Sequence, residues 1–344
     1  MSIVIAILIF AAIILFHEFG HFIVAKKCDV KVNEFCLGFG PKIVGFKKGE
    51  TEYNLRLLPL GGACVMEGEE EDTDDDRSFQ KKPLWQKALI VAAGPLFNFL
   101  LAYILSVIMI GVMGFEAPQV SKVMPDYPAE EAGLQAGDEI KAVGNYRVYF
   151  FNEVSLYLYF HSSQDIKVTY VRDGKEYQTV MTPQYDEESG RYLFGIYGPV
   201  GYKKVNVLGA LGYGAAEVRY QIYTAMESVK FLFTGRVKLK DMAGPVGIVK
   251  SIGDTYTESV SSGALYVVMN LFGMTILLSA NLGVMNLIPI PALDGGRLLF
   301  FLIEAITRKN IPQKVEAYVN FAGFAALMAL MLVIMVSDIY KIVA

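Results

Sequence analysis

Four stretches of this 344-residue chain are long and apolar enough to cross a bilayer, and nothing else restricts its fold so severely. A spanning helix takes ~20 mostly apolar residues, because backbone polar groups in hydrocarbon must be satisfied within the segment itself. The stretches run from Ile3 to Ala25, Ala88 to Phe115, Gly263 to Leu293 and Phe321 to Val336. A mean hydropathy of +0.39 and a charged share of 19% agree with such a chain. The first stretch lacks a basic start and a small-residue cleavage site, so it is expected to remain as an anchor. The expected fold class is a polytopic α-helical membrane protein with about four transmembrane helices.

Lysine and arginine orient those helices. None precedes the first span, whereas Lys26, Lys27 and Lys31 follow it; Lys81, Lys82 and Lys87 stand before the second. Arg297, Arg308, Lys309 and Lys314 lie between the third and fourth. The positive-inside rule then places both of these loops in the cytoplasm and both termini outside. Residues 116–262 fall outside with them. Cys28, Cys36 and Cys64 all land in the first cytoplasmic loop, show no metal-like spacing, and are expected as free thiols. A net charge of -4, with no basic stripe interleaved with aromatics, excludes a nucleic-acid partner.

The chain therefore divides into a first span (1–26), a cytoplasmic β-hairpin and loop region (27–87) and a second span (88–115). A small α+β domain (116–185) follows, then a linker with an amphipathic helix (186–262), a third span (263–296), and a cytoplasmic loop with the fourth span (297–344). Within 27–87, Thr51 to Leu57 alternates loosely after a Lys48-Gly49 turn, which reads as a strand able to pair with an extended peptide. The acidic run Glu67 to Asp76 lacks EF-hand spacing and reads as a solvated loop. Leu211, Ala215, Val218, Ile222, Met226, Val229 and Phe233 recur at helical spacing. Glu217, Arg219, Glu227 and Lys230 argue against a further span, so this helix is expected to lie on the outer leaflet.

His17-Glu18-Phe19-Gly20-His21 is HExxH inside the first span. Residues four apart share a helix face, so His17 and His21 can grip one metal ion while Glu18 sits beside its open position as catalytic base. Three ionisable side chains at that depth cost ~2.5–3.5 kcal/mol each, which a purely structural cluster would have to recover. A catalytic zinc has three protein ligands. The one other histidine, His161, falls in the external domain, so an acid must complete the set. Asp294, three residues before Arg297, reaches a depth similar to His21, five residues before Lys26. A helix cap is its competing role. Pro289 and Pro291 break the end of the third span, and irregular backbone at membrane depth is tolerated where it lines a wet cavity. Asn286 is the candidate donor to a developing oxyanion, with Pro289 and Asn98 as further candidate substrate contacts. Plain packing explains Asn98 almost as well.

These motifs resemble the site-2 protease family, and within it the bacterial RseP/RasP type. The resemblance runs through HEFGH, Pro59 to Glu69, Ala92-Ala-Gly-Pro-Leu-Phe-Asn98, Thr234 to Ile248 with its Gly244-Pro-Val-Gly, and Asn286-Leu-Ile-Pro-Ile-Pro-Ala-Leu-Asp-Gly-Gly-Arg297. Pro128 to Ile140 is similar to a PDZ domain, although no glycine-rich carboxylate-binding loop is evident and the chain has length for one such domain. The resemblance implies regulated intramembrane proteolysis in the bacterial cytoplasmic membrane. It implies one zinc ion on His17, His21 and Asp294, with Glu18 as acid/base and the strands near 29–66 holding substrate extended. Its implied substrates are single-span membrane proteins, such as anti-sigma factors or remnant signal peptides, first trimmed by a site-1-type protease. The PDZ-like domain is expected to screen substrates by size, with docking of peptide tails as its competing role. Two rivals are a catalytically silent scaffold binding partners through that domain and a transporter using intramembrane carboxylates. Neither gives HExxH a role.

Overall fold

The computed structural model describes residues 2–69, 73–162, 164–235 and 243–343, without side chains at 59, 60, 342 and 343. The middle of the acidic run (70–72) and part of the Thr234–Ile248 stretch (236–242) lie outside the described residues. Two compact units emerge: Met1–Leu105 with Ser228–Ala344, and Ser106–Glu227.

In the first unit, helix α1 (Ser2–Lys27) carries HExxH. Two long strands follow, β1 (Val32–Lys48) and β2 (Thr51–Met66), joined by a turn at Gly49-Glu50. Each strand is bent, at Gly38 and Gly40 in β1 and at Gly61 in β2, all with positive φ that a side chain would disfavour. The bends turn two strands into four segments. Residues 32–37 pair on one side with 52–55 and on the other with 62–66, while 42–48 pair only with 51–56. The order is therefore 42–48, 51–56, 32–37, 62–66. This corrects one expectation: the 51–57 strand is internal, with partners on both sides, so it cannot accept a peptide. A sequence of alternating residues cannot reveal that its strand is sandwiched.

The root of this sheet is fixed by a core of Ala25, Val30, Val32, Cys64, Met66, Phe79, Ile90 and Phe301. Burying a side chain such as Phe79 completely contributes ~1.5–3 kcal/mol. The hairpin tip is tied by Glu50, which takes both Lys26 and Arg77, the latter through two nitrogens at 2.6 and 2.8 Å. Hydrogen bonds from Arg77 and Lys26 hold its carboxyl down at about 2. All three cysteines are buried free thiols.

Helix α2 (Leu84–Met113) is continuous through Pro95, and its last residues enter the second unit. That unit begins with β3 (Lys122–Val123), α3 (Pro128–Glu131), β4 (Glu139–Val143), β5 (Tyr146–Arg147), α4 (Phe151–Phe160), β6 (Ile166–Arg172) and β7 (Lys175–Met181). It continues through β8 (Gln184–Asp186), β9 (Arg191–Leu193) and β10 (Ile196–Tyr197). The central sheet has order β5-β4-β6-β7, and β10 returns to pair with β3. Val120, Leu134, Ile140, Val143, Val154, Leu158, Val168 and Phe194 fill its core. The expected boundary at 185 thus falls inside the β8–β9 hairpin, and the chain beyond it returns to pair with β3 in a separate two-stranded sheet.

Helix α5 (Val207–Phe233) docks on this domain. Tyr213 stacks on Phe115 at 3.8 Å, Tyr223 faces Tyr146 at 4.3 Å, and Arg219 donates to the fully buried Glu153 at 2.6 Å. The docking residues are aromatic and charged, so a search for apolar periodicity marks the opposite stripe, where Leu211 and Met226 remain exposed.

The first unit resumes with α6 (Pro245–Val260), which packs against α1 and α7 (Ala264–Leu287). Pro289 lacks an N–H and disfavours helical backbone at Ile288, so α7 ends there. The chain restarts as α8 (Asp294–Thr307) and then α9 (Gln313–Val343). Helix α8 occupies the start of the loop expected between the third and fourth spans, directly after the end of the third apolar stretch. Among the described residues, α1, α2, α7 and α9 are long and apolar enough to cross a membrane. The protein is a polytopic α-helical membrane protein with a small β-rich segment and one α+β domain.

Candidate metal centre

The Nε2 atoms of His17 and His21 lie 3.3 Å apart. Asp294 Oδ2, brought in by the first residue of α8, stands 3.3 Å from His17 Nε2 and 3.6 Å from His21 Nε2. Ligands ~2.0–2.1 Å from a tetrahedral centre lie roughly 3.4 Å from one another, so this triangle has the edges that zinc requires. Its chemistry fits as well. Both rings are buried, and Asp294 Oδ2 is buried without a hydrogen-bond partner among the described residues. An orphaned carboxylate oxygen facing two imidazoles is costly unless a cation completes the set.

The triangle forms because α1 and α2 approach closely. A methyl on Gly20 would overlap the Ala93 carbonyl. A methyl on Gly94 would lie 2.6 Å from His21 Cε1 and 2.7 Å from His17 Cε1. On the same face of α2, one turn to either side, stand the partners of the two rings. His21 Nδ1 donates to the Ile90 carbonyl at 2.9 Å, and His17 Nδ1 meets the Asn98 amide at 3.1 Å. Bonding at the far nitrogen fixes each ring and aims Nε2 at Asp294 Oδ2.

Asp294 is aimed by a compact loop. Methyl groups on Gly295 or Gly296 would strike the carbonyls of Ile288 and Ile290, so LDGG folds as it does because those residues have no side chain. Ala292 adopts a φ of +72°, and its N–H donates to Asn320 Oδ1 of α9 at 3.2 Å. Arg297 pairs with Glu69 beyond the sheet and lies 3.7 Å from Glu316 of α9. These contacts tie the ligand loop to α9 and to the loop that follows the sheet.

A cleft of 850 Å³ opens over the triangle, lined among others by Glu18, Asn33, Gly62 to Glu69, Ala292 and Arg297. Gly62 packs against Glu18, since an added Cβ would lie 2.9 Å from its Cγ. The segment 62–66 pairs with 32–37 on one side and borders the cleft on the other. It is the sheet edge that the sequence did not reveal. Asn286 Nδ2 lies 3.5 Å from His17 Nε2, at the rim of the triangle. Pro289 is exposed and does not line the cleft, and Asn98 is wholly buried behind His17 rather than on its surface. His161 ends α4, stacked on Tyr157 at 4.3 Å, and belongs to no metal-ready cluster found among the described residues.

Two buried histidines of a membrane-spanning helix and a half-buried aspartate in a zinc-shaped triangle, with a glutamate lining the adjoining cleft, fit a membrane-embedded metalloprotease. A family model, peptidase family M50, matches residues 5–330. The zinc metalloprotease RasP of Bacillus licheniformis is 33% identical, with 98% of each chain covered. That alignment runs over 424 positions, so the relative carries a substantial insertion that this chain lacks. The regulator of sigma-W protease RasP of Bacillus subtilis is 31% identical over 98% of this chain and 97% of its own. A Clostridium acetobutylicum protein, provisionally named a zinc metalloprotease, is 39% identical over 98% and 97%. A PDZ domain of an SdrC-like protein from Listeria monocytogenes aligns with 23% of this chain and 84% of its own, at 23% identity and a TM-score of 0.22. The chain belongs to peptidase family M50, the site-2 proteases, and is a zinc metalloprotease of the membrane.

Proposed function

We propose that the protein cleaves single-span membrane proteins within or beside the bilayer, by peptide hydrolysis at a zinc ion held by His17, His21 and Asp294. The observation that carries this reading is the ligand triangle lying beside a free sheet edge. A zinc ion held by these three residues would polarise the scissile carbonyl and lower the pKa of the attacking water. Glu18 takes the proton from that water and returns it to the leaving nitrogen. The Asn286 amide, at the rim of the triangle, donates to the oxygen on which charge develops. A substrate helix hides its carbonyls in its own hydrogen bonds, so it must unwind first; pairing with the 62–66 edge holds it extended.

The lysine and arginine distribution supports a site near the cytoplasmic face, with the PDZ-like domain and both termini outside. The relative named a regulator of sigma-W protease points to membrane-bound anti-sigma factors as one substrate class; an upstream site-1-type protease that trims them belongs to the same proposal. The domain's part is to screen what approaches; a 610 Å³ groove lined by residues of α4 and β9, with Tyr220, is its candidate contact surface. The test is co-expression of single-span proteins with wild-type enzyme and Glu18→Gln. Wild type should release fragments; the variant should bind zinc equally and cut at least 100-fold more slowly. Fragments of equal yield from both would sink the mechanism.

A further inference from the structure

We infer that Asn98 is the positioning residue that makes His17 a metal ligand, by accepting the Nδ1–H of its imidazole. A neutral imidazole carries one ring proton, and a ring that ligates through Nε2 must carry it on Nδ1. His17 Nε2 is the atom turned toward His21 and Asp294, so Nδ1 is the donor. The group recorded on Nδ1 is the Asn98 amide at 3.1 Å, with Nδ2 nearest. Two N–H groups cannot bond each other; a half-turn of the amide places Oδ1 there instead. Asn98 is free to make that choice, because its Oδ1 has no partner among the described residues. Its position is not free. The residue is 0% exposed, and its backbone carbonyl accepts the Ser279 hydroxyl of α7 at 2.8 Å.

The two histidines are thereby held by different means. His21 leans on a backbone carbonyl, Ile90, that no substitution at that residue removes. His17 leans on a side chain, so the tautomer of one ligand is written into the sequence at Asn98. Partners of this kind contribute roughly 10–100-fold in metal affinity. The Gly94-Pro95-Leu-Phe-Asn98 motif thus supplies both the space for the rings and the acceptor for one of them.

The inference rests on His17 being a ligand, and the experiment separates the two. Zinc affinity of the full-length protein in detergent is titrated against a competing chelator for wild type, His17→Ala, Asn98→Leu and Asn98→Asp. Cobalt(II) absorption spectra report the ligand field independently of activity. Asn98→Leu, isosteric but unable to accept, should bind zinc 10–100-fold more weakly and show an altered cobalt spectrum. Asn98→Asp presents an acceptor in either protonation state and should stay within about threefold of wild type, with its spectrum. If Asn98→Leu fails to yield monodisperse protein, Asn98→Ala carries the same expectation. Equal losses in the Leu and Asp variants, or no loss in either, overturn the inference. Wild-type affinity in His17→Ala overturns the functional reading, and the inference with it.

Discussion

Replacing Gly94 with alanine puts a methyl group where the two imidazoles meet α2. Its carbon would stand 2.6 Å from His21 Cε1 and 2.7 Å from His17 Cε1, nearer still to His21 Nε2. Carbon contacts are optimal at ~3.5–4.0 Å, so the rings must retreat by about 1 Å. They cannot retreat and keep their partners, because Ile90 and Asn98 lie on the same helix as the methyl. Ligands displaced on that scale forfeit ~10–100-fold in metal affinity, which is roughly 1.4–2.8 kcal/mol. Helix propensity works in the opposite direction, since alanine in a helix interior is favoured over glycine by ~0.8–1.0 kcal/mol. The expected signature is therefore split: helical content and thermal stability of the metal-free protein hold or rise, while zinc affinity falls. Chelator titration and circular dichroism on the same sample read both. Gly111→Ala is the control, because a methyl there meets its nearest neighbour, Ala210 Cβ, at an ordinary 3.7 Å. Wild-type zinc affinity in Gly94→Ala would refute the packing argument outright.

Asp294→Asn should lower zinc affinity at least tenfold, because a neutral amide is a poor ligand for a divalent cation; unaltered binding and cleavage would put the third ligand elsewhere. Gly62→Ala should act on the proton carrier and the substrate edge rather than on the metal-facing side chains. Its methyl presses Glu18, so cleavage should fall about tenfold or more at full zinc occupancy, and a parallel loss of zinc would contradict that division. In the PDZ-like domain, burial would raise the Asp138 carboxyl, but Arg172 through two nitrogens and the Gln135 N–H outweigh it and hold the acid below its ordinary range. A carboxyl lowered on folding stabilises fully above its unfolded value and loses that contribution as pH falls through the folded one, so hydrogen-exchange protection across 116–203 should be flat near neutrality and drop below about pH 4. Arg172→Met should cost about 3 kcal/mol of that protection at pH 7, by stranding a buried charge; unchanged protection would make the pair dispensable.

How much of this site the sequence discloses depends on whether a feature is carried by residue identity or by register. HExxH fixes its own geometry, because four residues on a helix always return to one face. Asp294 became a candidate because His161 falls in the other domain and because two clusters of basic residues put Asp294 and His21 at a similar depth. The spanning helices were legible because each apolar stretch is long, although Pro289 ends the third before its apolar run does. Edge and interior segments of the bent sheet lie along the same two strands, and the bends at Gly38, Gly40 and Gly61 place 62–66, not 51–57, beside the cleft. Docking of α5 escaped detection because Arg219 and its tyrosines carry it, where an apolar period predicts lipid. Asn98 lies between these cases. Its polarity inside a span was visible, yet two roles for it were open, packing and contact with substrate. The choice needs the antiparallel match of α1 to α2, in which His21 meets residue 90 and His17 meets residue 98, with Gly94 between them. Because both helices rise by the same increment, ligands four apart can engage supports eight apart only if each side chain reaches outward along α2, which leaves the midpoint empty and requires glycine there.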